Sequence, residues 1–203
     1  MLFLTFFLGL SSSYLGTIAP SMLNITATKI RIEKNKKTAI DFSFGVAFIA
    51  LFQAFIALYF LKIIHHNPII IEIIQSISSV VFLFLSFFFF RIALKEHREI
   101  ITKPSIKNGY ITGIGLSLVN MFSIPFYCTV GAALNMYGWL NLDITNIIFF
   151  VIGSSIGTYF ILYHYILLAE IIKPKITKFS KYLNFTLGSI TGVVALFSFY
   201  NLL

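Results

Sequence analysis

The sequence predicts an all-α membrane protein with six transmembrane helices, on the evidence of composition, apolar runs and charge placement. Of the 203 residues, 58% are hydrophobic and only 11% are charged, and the mean hydropathy is +0.92. A soluble domain carries about 25% charged residues, so lipid must replace water around most of this surface. Apolar runs of about 20 residues, the length of a membrane-spanning helix, recur along the chain. They occupy residues 2–27, 39–61, 69–90, 109–133, 144–169 and 182–203.

The first apolar run has to be distinguished from a secretory signal peptide, because residues 1–19 end in the small-x-small pattern Thr17-Ile18-Ala19. Signal peptides begin with a basic segment and have a shorter apolar core. Here no Lys or Arg precedes the run, and the uncharged stretch continues to Thr28. We therefore expect this segment to be retained as the first helix.

The positive charges fall on one side of the predicted membrane. Fourteen of the fifteen Lys and Arg residues lie in the first, third and fifth loops, and the formal net charge is +8. They are Lys29, Arg31, Lys34, Lys36, Lys37, Arg91, Lys95, Arg98, Lys103, Lys107, Lys173, Lys175, Lys178 and Lys181. Because Lys and Arg collect in cytoplasmic loops, we expect these loops in the cytoplasm, both termini outside, and a multi-pass protein of the cell (inner) membrane. No basic face then remains for nucleic acid.

Six spans divide into two sets of three, and because three is odd, the two halves would have opposite orientations. We expect one membrane domain, residues 1–203, built from an inverted pair of three-helix repeats, residues 1–90 and 109–203. Spans 1 and 4 support this, since each begins with glycines and serines and reaches a proline, Pro20 or Pro125, with an asparagine nearby.

The two prolines predict helix breaks at matching places. Proline removes a backbone donor and leaves a carbonyl four residues earlier without its partner. Within a membrane this is tolerated only where protein or a water-lined cavity satisfies the backbone. A single proline is more often a packing kink, but two in corresponding spans favour a central substrate site.

Three amide side chains, Asn24, Gln53 and Asn120, lie within the apolar spans. Polar groups at this depth are costly and face the interior of the helix bundle. They either line a substrate pathway or form hydrogen bonds between helices, worth about 0.6 kcal/mol each. Asn24 and Asn120 lie near the two prolines, which favours the pathway, while for Gln53 both interpretations stay open.

The histidines are open to more than one interpretation. His164 lies within Tyr163-His164-Tyr165 and either relays protons, since its unperturbed pKa is about 6.5, or bonds a tyrosine near the membrane interface. His65 and His66 are adjacent in an outer loop, and no third ligand is evident. We therefore expect neither a metal site nor a cofactor.

Enzyme motifs are missing from the sequence. Gly153-Ser154-Ser155-Ile156 lacks the glycine that an intramembrane serine protease requires after its serine, and there is no HExxH. Small residues at these positions more simply allow close helix packing. The single cysteine, Cys128, excludes a disulfide or a cysteine metal cluster within one chain.

The sequence resembles the LysE-type amino-acid exporter family over essentially its whole length. The family's Pro-Gly-Pro motif in span 1 corresponds to the stretch from Pro20 to Asn24, and Gly45 corresponds to its span 2 glycine. In span 4 the family has a glycine, then Asn-Pro, then aromatic residues. The similar residues here are Gly113, Asn120, Pro125, Phe126 and Tyr127.

Some positions depart from the family pattern. Ser21 and Met22 replace the glycine and second proline of the motif, and Met121 replaces the proline after the asparagine. Ala50 and Gln53 stand where many relatives have an acidic residue in span 2. The missing acid argues against proton coupling by a carboxylate in span 2 and against export of a cationic substrate.

The resemblance implies a transporter, not an enzyme, that exports amino acids or related small metabolites by alternating access. The alternative is a non-transporting membrane protein, either an assembly factor or a degenerate relative. The expected partners are a small-molecule substrate and the lipid bilayer, and the oligomeric state stays open, a homo-oligomer included. The candidate substrate-binding residues are Pro20, Ser21, Asn24, Gln53, Asn120 and Pro125.

Overall fold

The computed structural model of the chain describes residues 2–18, 21–65, 108–120 and 122–172, with short pieces between 83 and 196. No strand occurs among these residues, so the predicted all-α class is confirmed for them. The helices are α1 (Leu2–Gly16), α2 (Met22–Glu33), α3 (Lys36–His65), α4 (Gly109–Val119), α5 (Ser123–Met136), α6 (Ile144–Leu167) and α7 (Ala169–Ile172).

Two of the described helices are long and apolar enough to cross a membrane, in agreement with the predicted spans 2 and 5. They are α3, over Lys36–Ile64, and α6, over Ile144–Leu167. Helices α4 and α5 qualify together as one span bent by 66°, and α1 is a shorter apolar helix. The predicted spans at 69–90 and 182–203 lie largely outside the described residues, so the count of six stays a prediction.

The first span, predicted over residues 2–27 with a break at Pro20, is interrupted at that place and continues beyond its predicted end. Helix α1 ends at Gly16, and α2 begins at Met22 and continues to Glu33. A proline disfavours helical backbone in the residue before it, and the sequence has Pro20 at this point.

The first basic loop is also shorter than predicted, because four of its five cations lie in helices. Lys29 and Arg31 belong to α2, and Lys36 and Lys37 begin α3. Lys29 Nζ lies 3.8 Å from the Glu33 carboxylate one turn further along α2. Such a pair between neighbouring turns supports the helix beyond the predicted end of span 1.

The chain forms two compact units. The first comprises residues 1–63 and 105–173, and the second comprises residues 64–104 and 174–203. In the second unit, Ser86 Oγ donates to the carbonyl oxygen of Gly188 (2.8 Å), and the rings of Phe90 and Phe185 meet edge to face. Parts of the predicted spans 3 and 6 therefore contact each other there.

Within the first unit, α1 and α6 lie side by side and run in the same direction. Near the start of both helices, Thr5 Oγ1 donates to Asn146 Oδ1 (3.0 Å). Further along both, the hydroxyl oxygens of Ser13 and Thr158 are 2.7 Å apart. The Asp143 carboxylate caps the start of α6 by accepting from the backbone N–H of Asn146, which lowers the pKa of Asp143.

Helix α4 lies along α3, again in the same direction. Near the start of both helices, Gly109 packs against the backbone of Thr38. At the end of α4, Gln53 Nε2 of α3 donates to the carbonyl oxygen of Ser117 (2.9 Å).

Helices α3 and α6, by contrast, run in opposite directions. Ser155 Oγ of α6 donates to the carbonyl oxygen of Ala47 (2.8 Å). Lys36, at the start of α3, lies over the ring of Tyr163 near the end of α6, with Nζ 5.6 Å from the ring centre.

Glycines allow both parallel helix pairs to approach backbone to backbone. A Cβ atom added to any of four glycines would overlap a backbone oxygen of the partner helix. These contacts are Gly9 with Phe150, Gly153 with Phe6, Gly45 with Tyr110 and Gly113 with Phe42. Between helices in lipid, where the hydrophobic effect contributes little, such close packing supplies much of the attraction.

Two buried apolar clusters fill the remaining space between the helices of the first unit. One joins α2, α3 and α6 around Phe42 and Ile166. The other joins α3, α5 and α6 around Leu58 and Phe150. Each cluster adds dispersion contacts that are small singly and large together, so the four helices that contribute to them are held in one packed body.

Alanine substitution at two glycines of α4 tests the close packing. Gly113→Ala should lower the free energy of unfolding by about 1–3 kcal/mol, because its Cβ would meet the backbone of Phe42, which cannot rotate away. Gly115→Ala is the matched control, since nothing lies within 4 Å of the added Cβ. It should be neutral or stabilising by up to about 1 kcal/mol. Thermal unfolding of the purified variants in detergent compares them, and equal stability of the two would contradict the packing.

Candidate functional site

Two helix breaks interrupt the first unit. The first break lies between Gly16 and Met22, and the second lies between Val119 and Ser123. Each break leaves carbonyl groups at the end of one helix and N–H groups at the start of the next without helical partners. In lipid such groups need partners from the protein or from a water-filled cavity.

The helices that follow the breaks begin without side-chain caps. Ser21, before α2, is half-buried and its side chain makes no capping hydrogen bond. Phe122, before α5, has no side-chain acceptor to offer. A helix N-terminus carries partial positive charge and outward-facing N–H groups, so both of these helix starts suit an anionic group.

Side chains bond the carbonyl groups of the first break. Asn24 Nδ2 donates to the carbonyl oxygen of Thr17 (2.7 Å), and the Tyr165 hydroxyl donates to that of Ile18 (2.7 Å). Asn24 is only 1% exposed. Both side chains therefore stabilise the interrupted backbone from within the protein.

At the second break, a single side chain from α3 donates to the carbonyl groups that the break releases. Gln53 Nε2 donates to the carbonyl oxygens of Ser117 (2.9 Å) and Asn120 (3.3 Å). Asn120 itself bridges the break, because its Nδ2 donates to the hydroxyl of Ser123 (3.0 Å). Gln53 is 7% exposed, so this bonding takes place away from the surface.

The two breaks adjoin each other. A Cβ atom on Gly16, where α1 ends, would overlap the ring of Phe126, in the first turn of α5. The Tyr127 hydroxyl lies 3.1 Å from Ser13 Oγ of α1, and Ser13 Oγ lies 2.7 Å from Thr158 Oγ1 of α6. One small region thus contains two helix ends, two helix starts and a buried group of hydroxyls.

A model of the LysE type translocator family matches residues 14–202, nearly the whole chain. The chain belongs to this family. The resemblance inferred from the motifs is therefore confirmed. No match was found among curated proteins or among solved structures. LysE type translocators are membrane transporters rather than enzymes, which agrees with the apolar helices of the first unit.

The structure of this LysE type translocator groups the predicted amide residues in two places. It brings Gln53 and Asn120 together at the second break and puts Asn24 at the first. Each of the three makes at least one hydrogen bond that supports a break. Whether they also contact a solute stays a prediction.

The two prolines and the serine that were predicted to bind substrate do not all lie at the breaks. Pro125 is exposed and is the third residue of α5, where proline is tolerated because its missing N–H would have no helical partner. Ser21 lies beside the first break, directly before α2. Pro20 lies outside the described residues.

Sequence reasoning missed the hydroxyl groups that line this region. Tyr165 closes the first break, and Ser13, Tyr127 and Thr158 connect α1, α5 and α6. A signal was present in span 5, because Ser154, Thr158 and Tyr165 are spaced by four and seven residues. Such spacing places side chains on one face of a helix.

The surroundings of His164 bear on its two interpretations. His164 is exposed, its Nδ1 lies 2.8 Å from the carbonyl oxygen of Phe160, and its ring meets Tyr14 edge to face. The polar contact of His164 is thus with a backbone carbonyl, whereas its contact with a tyrosine is between rings, and the proton relay stays a prediction. Among the described residues no three His, Cys, Asp or Glu side chains could hold a metal ion, and His66 lies outside those residues.

Crowding at Gly16 tests whether the two breaks adjoin. Gly16→Ala should lower the free energy of unfolding by about 1–3 kcal/mol, because its Cβ would press on the Phe126 ring. Phe126→Leu removes the end of that ring, so the double variant should be more stable than the sum of the single effects predicts. Unfolding of all four proteins in mixed micelles measures this coupling. Strictly additive effects would mean that Gly16 and Phe126 do not touch.

Proposed function

We propose that this LysE type translocator exports amino acids or related small metabolites by alternating access. The observation that carries the proposal is the meeting of two broken helices in one region, in a chain of a transporter family. Irregular backbone at membrane depth is tolerated where it lines a solute site, and discontinuous helices form such sites in many transporters.

Helix directions support the inverted repeat of residues 1–90 and 109–203. Helix α1 is parallel to α6, and α4 is parallel to α3. Because α3 and α6 are antiparallel, α1 and α4 must be antiparallel as well. The first span of each half then packs on the second span of the other half, as a two-fold axis in the membrane plane requires.

Equivalent contacts also recur at equivalent spacing in the two halves. Gly9 packs on Phe150, and Gly113 packs on Phe42. The interval from Gly9 to Gly113 equals that from Ser13 to Ser117, and both serines are buried. A repeated architecture accounts for this coincidence without further assumptions.

The long helices α3 and α6 also have packing residues at equal spacing. The interval from Gly45 to Gly153 equals that from Phe42 to Phe150, and each glycine packs on the backbone of the first helix of the other half. The two helix crossings therefore use a glycine and a phenylalanine at equivalent positions of the two proposed repeats.

The chemistry of the breaks fits a zwitterion. The uncapped starts of α2 and α5 present N–H groups to a carboxylate, and the ends of α1 and α4 carry the partial negative charge that attracts an ammonium group. Within each break a helix end and a helix start lie a few residues apart. The amino and carboxylate groups of an amino acid are separated by a similarly short distance.

Movement of one half against the other would part the contacts between the breaks. These are the packing of Phe126 on Gly16 and the hydrogen bond between Tyr127 and Ser13. Such rocking would open the site to one side of the membrane and then to the other. The orientation in this proposal is the one that the Lys and Arg distribution predicts, with both termini outside the cell.

An export assay tests the proposal. Cells loaded with dipeptides should release the constituent amino acids faster when they produce this chain. Replacing Asn120 and Pro125 together by alanine should slow release about tenfold, which corresponds to losing roughly 1.4 kcal/mol of stabilisation. Gly115→Ala serves as the matched control and should export normally. Release that does not depend on the chain for any amino acid would favour the non-transporting alternative.

A further inference from the structure

The two breaks differ in the hydrogen bonding of their side chains. At the first break, the Tyr165 hydroxyl that donates to Ile18 is also bonded to the side chain of Asn24, which in turn donates to Thr17. The Asn24 amide and the Tyr165 hydroxyl thus bond each other as well as the interrupted carbonyls of Thr17 and Ile18.

At the second break one acceptor is left over. The amide nitrogen of Gln53 is used by the carbonyls of Ser117 and Asn120, whereas its Oε1 is buried and has no hydrogen-bond partner among the described residues. The residue is more than nine-tenths buried. A buried carbonyl without a donor is costly, so a donor is missing from this site.

The surroundings of Gln53 select the charge of that donor. The end of α4 contributes the negative end of a helix dipole, and the carbonyls of Ser117 and Asn120 are bonded to the same Gln53 amide group. An ammonium group supplies several N–H donors together with positive charge, and hydrogen bonds to charged groups are stronger than neutral ones.

The charge balance of the helices limits the solute further. Helices α1, α4, α5 and α6 contain no Asp or Glu, and the one acid of α3, Asp41, lies about three turns from Gln53. No protein carboxylate in these helices is therefore placed to neutralise a bound ammonium group. A zwitterion brings its own carboxylate, which the start of α5 can receive only a few residues away.

We infer that Gln53 Oε1 accepts a hydrogen bond from the ammonium group of a zwitterionic solute, which binds at the second break. The inference rests on the proposed transport function and adds to it a specificity-determining residue and a choice between the two breaks. Gln53 thus has two tasks on one amide group. Its nitrogen stabilises the break, and its oxygen recognises the solute.

Binding of three related probes tests the role of the oxygen. L-valine, isovalerate (valine without its amine) and isobutylamine (valine without its carboxylate) are titrated into the purified full chain in lipid nanodiscs, by calorimetry. The parental protein should bind isovalerate about 10- to 100-fold more weakly than L-valine. Isobutylamine should also bind more weakly, since it lacks the group that the start of α5 receives.

Gln53→Met removes the acceptor together with the donating nitrogen and keeps the length of the side chain. In this variant the preference for L-valine over isovalerate should fall to about threefold or less. Tyr165→Phe is the matched control, because it removes a hydrogen bond at the first break. It should keep the parental preference even if the protein loses stability. A parental preference in Gln53→Met would overturn the inference and leave a buried water as the partner of Oε1.

A second variant covers the case in which Gln53→Met does not fold. Gln53→Glu keeps an acceptor at the same position but gives up the nitrogen that donates to Ser117 and Asn120, so the preference for L-valine over isovalerate should be kept or raised. A preference as low as that expected of Gln53→Met would overturn the inference. If the parental protein exports amino acids and binds L-valine but does not discriminate against isovalerate, only this inference fails. If it exports no amino acid and binds none of the probes, the proposed function fails first.

Discussion

The interrupted backbone at the two helix breaks is the constraint on which the rest of the structure depends. Lipid offers no hydrogen-bond partner to a peptide group, so each carbonyl that a break releases must find a donor within the protein. Asn24 and Tyr165 provide donors at the first break, and Gln53 provides them at the second. The costly amide residues in apolar helices are explained by this requirement before any solute is considered.

Helix packing determines which residues can meet that requirement. Parallel packing of α4 on α3 brings Gln53 to the end of α4, and parallel packing of α1 on α6 brings Tyr165 to the end of α1. Both pairs pack closely because glycine removes the Cβ atom that would hold the backbones apart. Each break is therefore completed by a long helix from a distant part of the sequence, α6 at the first break and α3 at the second.

The same arrangement explains how a structural device can become a binding site. The nitrogen of the Gln53 amide stabilises the second break, and its oxygen stays without a hydrogen-bond partner among the described residues. At the first break, Asn24 and Tyr165 bond each other as well as the carbonyl groups. In the repeat that we propose, one break would serve as a support and the other would serve for recognition of the solute.

Much of the architecture was predictable from the sequence, because it depends on strong physical preferences. Lipid excludes charge, so the long apolar helices α3 and α6 were predicted at nearly their observed positions, and the prolines indicated that spans 1 and 4 are irregular. The end of α2 was not predictable from hydropathy, since the helix continues through the charged residues Lys29 and Arg31.

The bonding at the site was less predictable, because it joins residues far apart in sequence. Gln53 stood out as a polar residue at depth, but its bond to the end of α4 depends on how α3 and α4 cross. The spacing of Tyr165 from Ser154 and Thr158 placed it on a polar helix face, but nothing in the sequence indicated that it bonds a break more than 140 residues earlier. Pairing of this kind follows from tertiary packing, which hydrophobic patterns do not specify.

Protection of an introduced cysteine by solute tests the central claim most directly, namely that the solute binds at the second break. In a Cys128→Ser background, Ser123→Cys places a thiol at the start of α5, and Ser21→Cys places one before α2 for comparison. L-valine should slow maleimide labelling at position 123 more than at position 21. Labelling at position 123 that L-valine does not slow, in a variant that still exports, would contradict the account.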